Sequence, residues 1–142
     1  MSKAIYIVID ESQTIESVQK KFNSVFPFLK IEFFRDSHTV GSGSKKKRMY
    51  ESKSVKLFKL SKNFKRGRIS IEANRTVANL ETDFQNQFGL NIQVFRKSGK
   101  VWLETSVTDS WTLDEQNKEG LRFSKEIKIE KEDFNDQLYF NS

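Results

Sequence analysis

Few side chains in this sequence are equipped for chemistry. The 142 residues include no cysteine and a single histidine, His38. Disulfides, thiolate metal sites, iron–sulfur clusters and cysteine nucleophiles are thereby excluded, and multi-histidine metal sites with them. A serine nucleophile would need His38 as its base. His38 stands beside the small polar run Gly41-Ser42-Gly43-Ser44 and reads as an exposed polar residue. Two carboxylate groupings remain, Asp10-Glu11 after the first apolar run, and Asp109 near Thr105 and Thr108. Paired carboxylates do acid–base work when their surroundings push their pKa values apart. Acids at strand ends more often cap helices or lie in solvent. Gly41-Ser42-Gly43 lacks both the strand-to-helix context and the Lys-Ser/Thr ending of a phosphate loop. No nucleophile elbow or dinucleotide fingerprint occurs. The expectation is a non-enzymatic protein with no cofactor and no metal.

Charge offers a different chemistry. The chain carries a net charge of +6, unevenly spread. Between Ser44 and Arg68 lie eleven basic residues, among them Lys45, Lys46, Lys47, Arg48, Lys65, Arg66 and Arg68. Glu51 is the one acid there, so the segment is +10 and the rest of the chain, fourteen bases and eighteen acids, is −4. From Asp109 onward nine acids face five bases. A basic segment displaces condensed counterions from phosphates, which gives affinity independent of sequence. The same charges also serve as a solvated surface, or as a dock for the acidic tail. Gly41 to Ser44 followed by four like charges predicts a flexible basic loop over about 37–50.

The elements that would position these groups come from a duplication. Ile7 to Phe26 matches Ile69 to Phe88, and Leu29 to Arg35 matches Leu90 to Arg96. Identities include Ile7/Ile69, Ile9/Ile71, Thr14/Thr76, Phe22/Phe84, Phe26/Phe88, Ile31/Ile92 and Phe34/Phe95. The repeat copies span about 4–35 and 66–96. Each reads as strand, helix, strand. Isoleucines alternate in the opening strand, the threonine sits where an N-cap is needed, and four apolar residues form one helical stripe. Pro27 and Gly89 end the helices. Ser54 to Leu60 partly alternates and predicts a strand. Lys97-Ser98-Gly99-Lys100 marks a hairpin, and Thr112-Leu113-Asp114-Glu115 is a capping box for a third helix stopped at Gly120. Ser124 to Glu130 reads as a last strand, and Asp133 to Phe140 as a short helix or coil.

Two such units in tandem predict an α+β fold, a ferredoxin-like plait with an extra hairpin strand and a C-terminal extension from about 109 to 142. The runner-up is an α+β sheet of another strand order. A single domain over 1–142 is expected, since 36% hydrophobic residues and thirteen phenylalanines supply one core. Mean hydropathy is −0.65, and Ala4 to Ile9 is too short an apolar run for a signal peptide or membrane span, so a cytoplasmic protein is expected.

In the plait both helices cover one sheet face, which leaves Tyr6, Val8, Phe34, Arg68, Phe95 and Trp102 on the other. Ile5-Tyr6-Ile7 resembles the second signature of the RNA-recognition motif, and Arg66-Gly67 stands where the other signature begins. The resemblance is confined to these two short strands, because Arg68, Ser70 and Glu72 stand where that motif is aromatic or small. It implies bases stacking on the aromatic face. The sequence therefore predicts nucleic-acid (polyanion) binding, RNA or DNA, through Lys45, Lys46, Lys47, Arg48, Lys65, Arg66 and Arg68 together with Tyr6, Phe34, Phe95 and Trp102. The alternative is a protein–protein or homodimer module using the same face, or a face closed by the tail through Trp111, Leu113, Leu121 and Phe123. An enzyme with a carboxylate pair is the distant third.

Overall fold

The computed structural model describes residues 4–35 and 48–125. In both copies of the repeat an alternating strand leads into a threonine-capped helix and a returning strand. β1 (Ala4–Ile9) and β3 (Gly67–Glu72) bury Ile7, Ile9, Ile69 and Ile71. α1 (Ile15–Val25) starts at Thr14, whose Oγ1 accepts from the Ser17 amide at 3.1 Å while Ser17 Oγ accepts from the Thr14 amide at 2.9 Å. α2 (Val77–Phe88) starts at Thr76, whose Oγ1 accepts from the Asn79 amide at 3.1 Å. Each cap satisfies an amide that has no partner inside its helix. β2 (Leu29–Phe34) and β4 (Asn91–Ser98) return along the helices. β5 (Val101–Glu104) folds back on β4 across the turn Gly99-Lys100.

The architecture is mixed α+β with two antiparallel sheets and no closed barrel. One sheet is β1–β3 and the other is β2–β4–β5. The plait expected from the sequence would join the four repeat strands in one sheet, and the difference has a local cause. β2 and β4 spend one edge on each other. The free edge of β2 is taken by residues 48–50, with the Tyr50 amide donating to Phe33 O at 2.9 Å. Gln19 Nε2 and Asn23 Nδ2 on α1 donate to Ile31 O and Leu29 O along that same edge. On β4, the stretch beyond β5 is closed by Glu81 of α2, whose Oε2 accepts from the Val94 amide at 3.0 Å. The hydrogen bonds that would join these strands to β1 or β3 are already made elsewhere.

Equivalent residues of the two copies face each other across both sheets. Ile7 pairs with Ile69, and Glu32 pairs with Gln93, its counterpart in the second copy. A pseudo-two-fold axis therefore passes through both sheets. The symmetry extends past the aligned residues. Lys53 O and Val55 O accept from the Glu16 and Ile15 amides of α1, and the Leu57 amide donates to Gln13 O. In the second copy Asp109 O and Trp111 O accept from the Ala78 and Val77 amides of α2, and the Leu113 amide donates to Arg75 O. Each copy thus ends in a clamp over its own helix start, with Leu57 and Leu113 fully buried. The strand expected at Ser54 to Leu60 is this clamp, followed by a 3-10 turn at Leu57–Lys59. Its carbonyls serve helix amides and are not available to a sheet.

After Leu113 the second clamp continues as α3, helical over residues 113–125. Thr112 and Glu115 form the reciprocal capping box. The helix runs through Gly120, which is not the stop expected. A Cβ there would lie 2.7 Å from Phe28 Cβ, so this glycine lets α3 approach the end of β2 closely. Ser124 and Lys125, expected in a strand, are helical. The rest of that segment, Asp133 to Phe140, His38 and residues 37–47 of the expected basic loop lie outside the described residues, while residues 48–50, expected in the same loop, pair with β2. One hydrophobic cluster spans both copies, from Ile7 and Phe22 to Phe88 and Leu113. No helix among the described residues is long and apolar enough to cross a membrane.

Candidate polyanion-binding groove

A wide concavity lies at the C-terminal end of α2. It is an open groove of about 830 Å³ lined by Arg35, Ser61, Asn63, Phe64, Lys65, Gln85, Asn86, Gly89 and Asn91. Two cations and a set of amides line it, with no carboxylate among the described residues. The linker between the copies forms one wall. The Lys65 amide donates to Phe88 O at 3.1 Å, and the Phe64 amide to Ser61 O at 3.3 Å. Gly89 makes this approach possible. It caps α2 at φ 68°, and a Cβ on it would stand 2.5 Å from Asn63 O. Arg35, at the end of β2, forms another wall. Its Nη1 donates to Met49 O at 3.1 Å and to Arg48 O at 3.4 Å, and its guanidinium lies 4.2 Å from the Tyr50 ring centroid. The cation is thus held in place before any ligand arrives.

Gly89→Ala is expected to cost about 1–2 kcal/mol from the left-handed backbone alone, with more from the collision with Asn63. Urea unfolding measures the loss, and faster exchange of the Lys65 amide reports the linker lifting from α2. An unchanged Lys65 amide would show that the groove does not depend on this glycine.

Of the basic residues singled out from the sequence, Lys65 lines the groove and Arg48 is exposed beside Arg35. Arg66 is ion-paired with Glu11. Arg68 is exposed and stacks over Tyr6 at 5.2 Å. Lys45, Lys46 and Lys47 lie outside the described residues.

The aromatic residues do not form one face. Tyr6, 63% exposed, is on the β1–β3 ribbon, whereas Phe34, Phe95 and Trp102 belong to the other sheet. Phe34 is only 3% exposed and stacks on Phe95 with centroids 6.5 Å apart, so it offers no free ring face to a base. Phe95 and Trp102 are half-buried, and Lys30 Nζ sits 5.5 Å and 4.9 Å from their ring centroids. A cation attracted to the ring quadrupole occupies the position a base would take. α3 is anchored elsewhere, on Phe28 through Asn117 and on Arg96 through Gln116. Leu113 enters the core, while Trp111 and Leu121 remain partly exposed.

Residues of both groupings make contacts within the fold. Asp10 accepts from the Ser12 hydroxyl and amide, and these bonds hold its carboxyl below the ordinary value. A general acid needs the opposite shift. Thr105 Oγ1 donates to Val94 O at 2.9 Å, and Gln116 Nε2 donates to Thr108. Asp109 supplies its carbonyl to the clamp on α2. Among the described residues no group of three His, Asp or Glu side chains could hold a metal ion.

Sequence reasoning missed Arg35, Ser61, Asn63, Phe64, Gln85, Asn86 and Asn91 as site residues. The signal was present: Gln85-Asn86-Gln87 and Asn91 bracket the α2 stop with no acid between them. No family model, no curated protein and no solved structure matches this chain.

Proposed function

We propose that the protein is a non-enzymatic binding module for polyanions, nucleic acid first among them, working in a reducing cytoplasm. The binding face is the basic segment from Arg48 to Arg68 with the groove at its end. The observation that carries this reading is that no carboxylate among the described residues lines the groove beside Arg35 and Lys65. Some basic side chains sit beside acids, as in Lys20–Glu16, Arg75–Asp83 and Lys118–Asp114, and within the basic segment Lys53 and Arg66 are paired with Glu32 and Glu11. Lys62 and Lys65 have no such partner among the described residues and are exposed. Unneutralised cations on a firm frame suit phosphate oxygens.

The test is a fluorescence titration with single-stranded and duplex oligonucleotides at two salt concentrations. Lys62→Ala with Lys65→Ala is expected to weaken binding to unrelated sequences alike. Each lost phosphate contact should flatten the log–log salt slope by roughly 0.7–0.9. Neutralising Lys45, Lys46, Lys47 and Arg48 should act in the same direction. Binding no tighter than micromolar at low salt would end the reading.

A second reading, contact with a protein partner or a second copy, is favoured by Tyr6 and Val8, both exposed on the β1–β3 ribbon. Mass that rises with concentration and is lost in Tyr6→Ala would favour it.

A further inference from the structure

The side-chain amides of this protein fall into two groups. Gln19, Asn23, Asn79, Gln116 and Asn117 all hold the fold together through hydrogen bonds to backbone or side chains. Asn63, Gln85, Asn86 and Asn91 line one groove, and their side-chain amides make no hydrogen bond among the described residues. Asn74, on the β3–α2 turn, is the one other asparagine among the described residues in that condition. Free amides gathered in one place present donors beside acceptors, the pattern of a base edge.

Three further features of the groove bear on what it would take. Phe64 is half-buried, packed against the core, and adds apolar surface to the wall alongside the amides. The volume, about 830 Å³, lies within the range of sites that enclose a small molecule. The floor is the C-terminal end of α2, where the helix dipole is negative. A phosphate is disfavoured on that floor, while a neutral ring with N–H donors is welcome. Lys62 and Lys65 lie in the linker that forms the wall, and their charges suit phosphates at the rim.

We infer that the groove at the end of α2 is a subsite for an unpaired nucleobase, held by Asn63, Gln85, Asn86 and Asn91 beside Phe64, with the strand's phosphates on Lys62, Lys65 and Arg35. The ligand is single-stranded nucleic acid. This rests on the polyanion reading and adds base recognition to it. Duplex bases are paired and stacked and cannot enter.

The experiment compares fluorescein-labelled single strands of deoxyadenosine, thymidine and deoxycytidine with an abasic strand of the same length. At least one base-bearing strand is expected to bind about tenfold tighter than the abasic one, the equivalent of a single stacked and hydrogen-bonded base. Asn86→Ala with Asn91→Ala should abolish that difference, so that base-bearing and abasic strands bind this variant alike. Asn63→Ala serves as a second, independent variant, and circular dichroism melts check that each folds. Equal binding of abasic and base-bearing strands overturns the base subsite and leaves the polyanion reading standing. Absence of binding by every strand overturns both. A base preference that survives all the amide variants also overturns the subsite. Free adenosine monophosphate is the remaining arm, and competition by it as tight as by the strand would overturn the strand as ligand.

Discussion

Phe84→Ala is expected to lower the stability of the protein by about 3–5 kcal/mol, the range for deleting a fully buried ring. Phe84 stands at the centre of the core. Its ring meets Phe33 of β2 edge-on at 6.3 Å and Phe88 at 5.4 Å, so it couples the second helix to a strand of the first copy. Neighbouring rings are large and fixed by the backbone of two elements, which leaves the cavity little room to collapse. Urea unfolding followed by tryptophan fluorescence gives the number. A loss below about 1 kcal/mol would mean that the copies do not share a close-packed core. The counterpart Phe22, whose ring lies 5.2 Å from Phe26, should behave in the same way.

Leu57→Ala and Leu113→Ala are expected to cost about 2–5 kcal/mol each, and similar amounts. Both leucines are fully buried, and both follow a clamp whose carbonyls accept the first amides of a helix. The leucine side chain fastens the clamp, and the clamp satisfies amides that would otherwise lack partners. Chemical denaturation of the two variants measures this directly. A large loss for one and none for the other would show that the two clamps are not equivalent. Leu113 continues into α3 whereas Leu57 ends in a single 3-10 turn, so the comparison also separates clamp from helix.

Much of this was legible in the residues. Isoleucine alternation, the two threonine caps, the phenylalanine stripes and the Thr112–Glu115 box each depend on local chemistry, and each appears where its pattern stands. The duplication was visible for the same reason, because both copies need the same buried face. The clamps were hidden by their brevity. Ser54-Val55-Lys56-Leu57 and Ser110-Trp111-Thr112-Leu113 share two residues, and the first imitates the alternation of a strand. Which strand pairs with which was illegible too. That choice is set by what blocks an edge, and the blocking groups, Gln19 and Glu81, look like ordinary polar residues on a helix. Burial of Phe34 follows from its position in a sheet whose register the sequence does not state. The groove was missed because its residues come from a helix end, a linker and two strand ends, which only the tertiary fold brings together.

The pseudo-two-fold axis through Ile7/Ile69 and Glu32/Gln93 has an implication for origin and assembly. In each repeat copy the opening strand finds its sheet partner in the other copy, and β2 finds β4. A lone copy would have no neighbour for its first strand. Its folding unit would be a symmetric pair of chains, each supplying one strand to every sheet. Joining the two through residues 60–66 replaces an encounter between molecules by an intramolecular one at high effective concentration. Fusion also releases the copies from identity. One copy makes the tight turn at Gly99-Lys100, and the corresponding stretch of sequence in the other copy holds Lys45, Lys46 and Lys47. A symmetric pair would have to carry that basic sequence twice, and the fused chain carries it once.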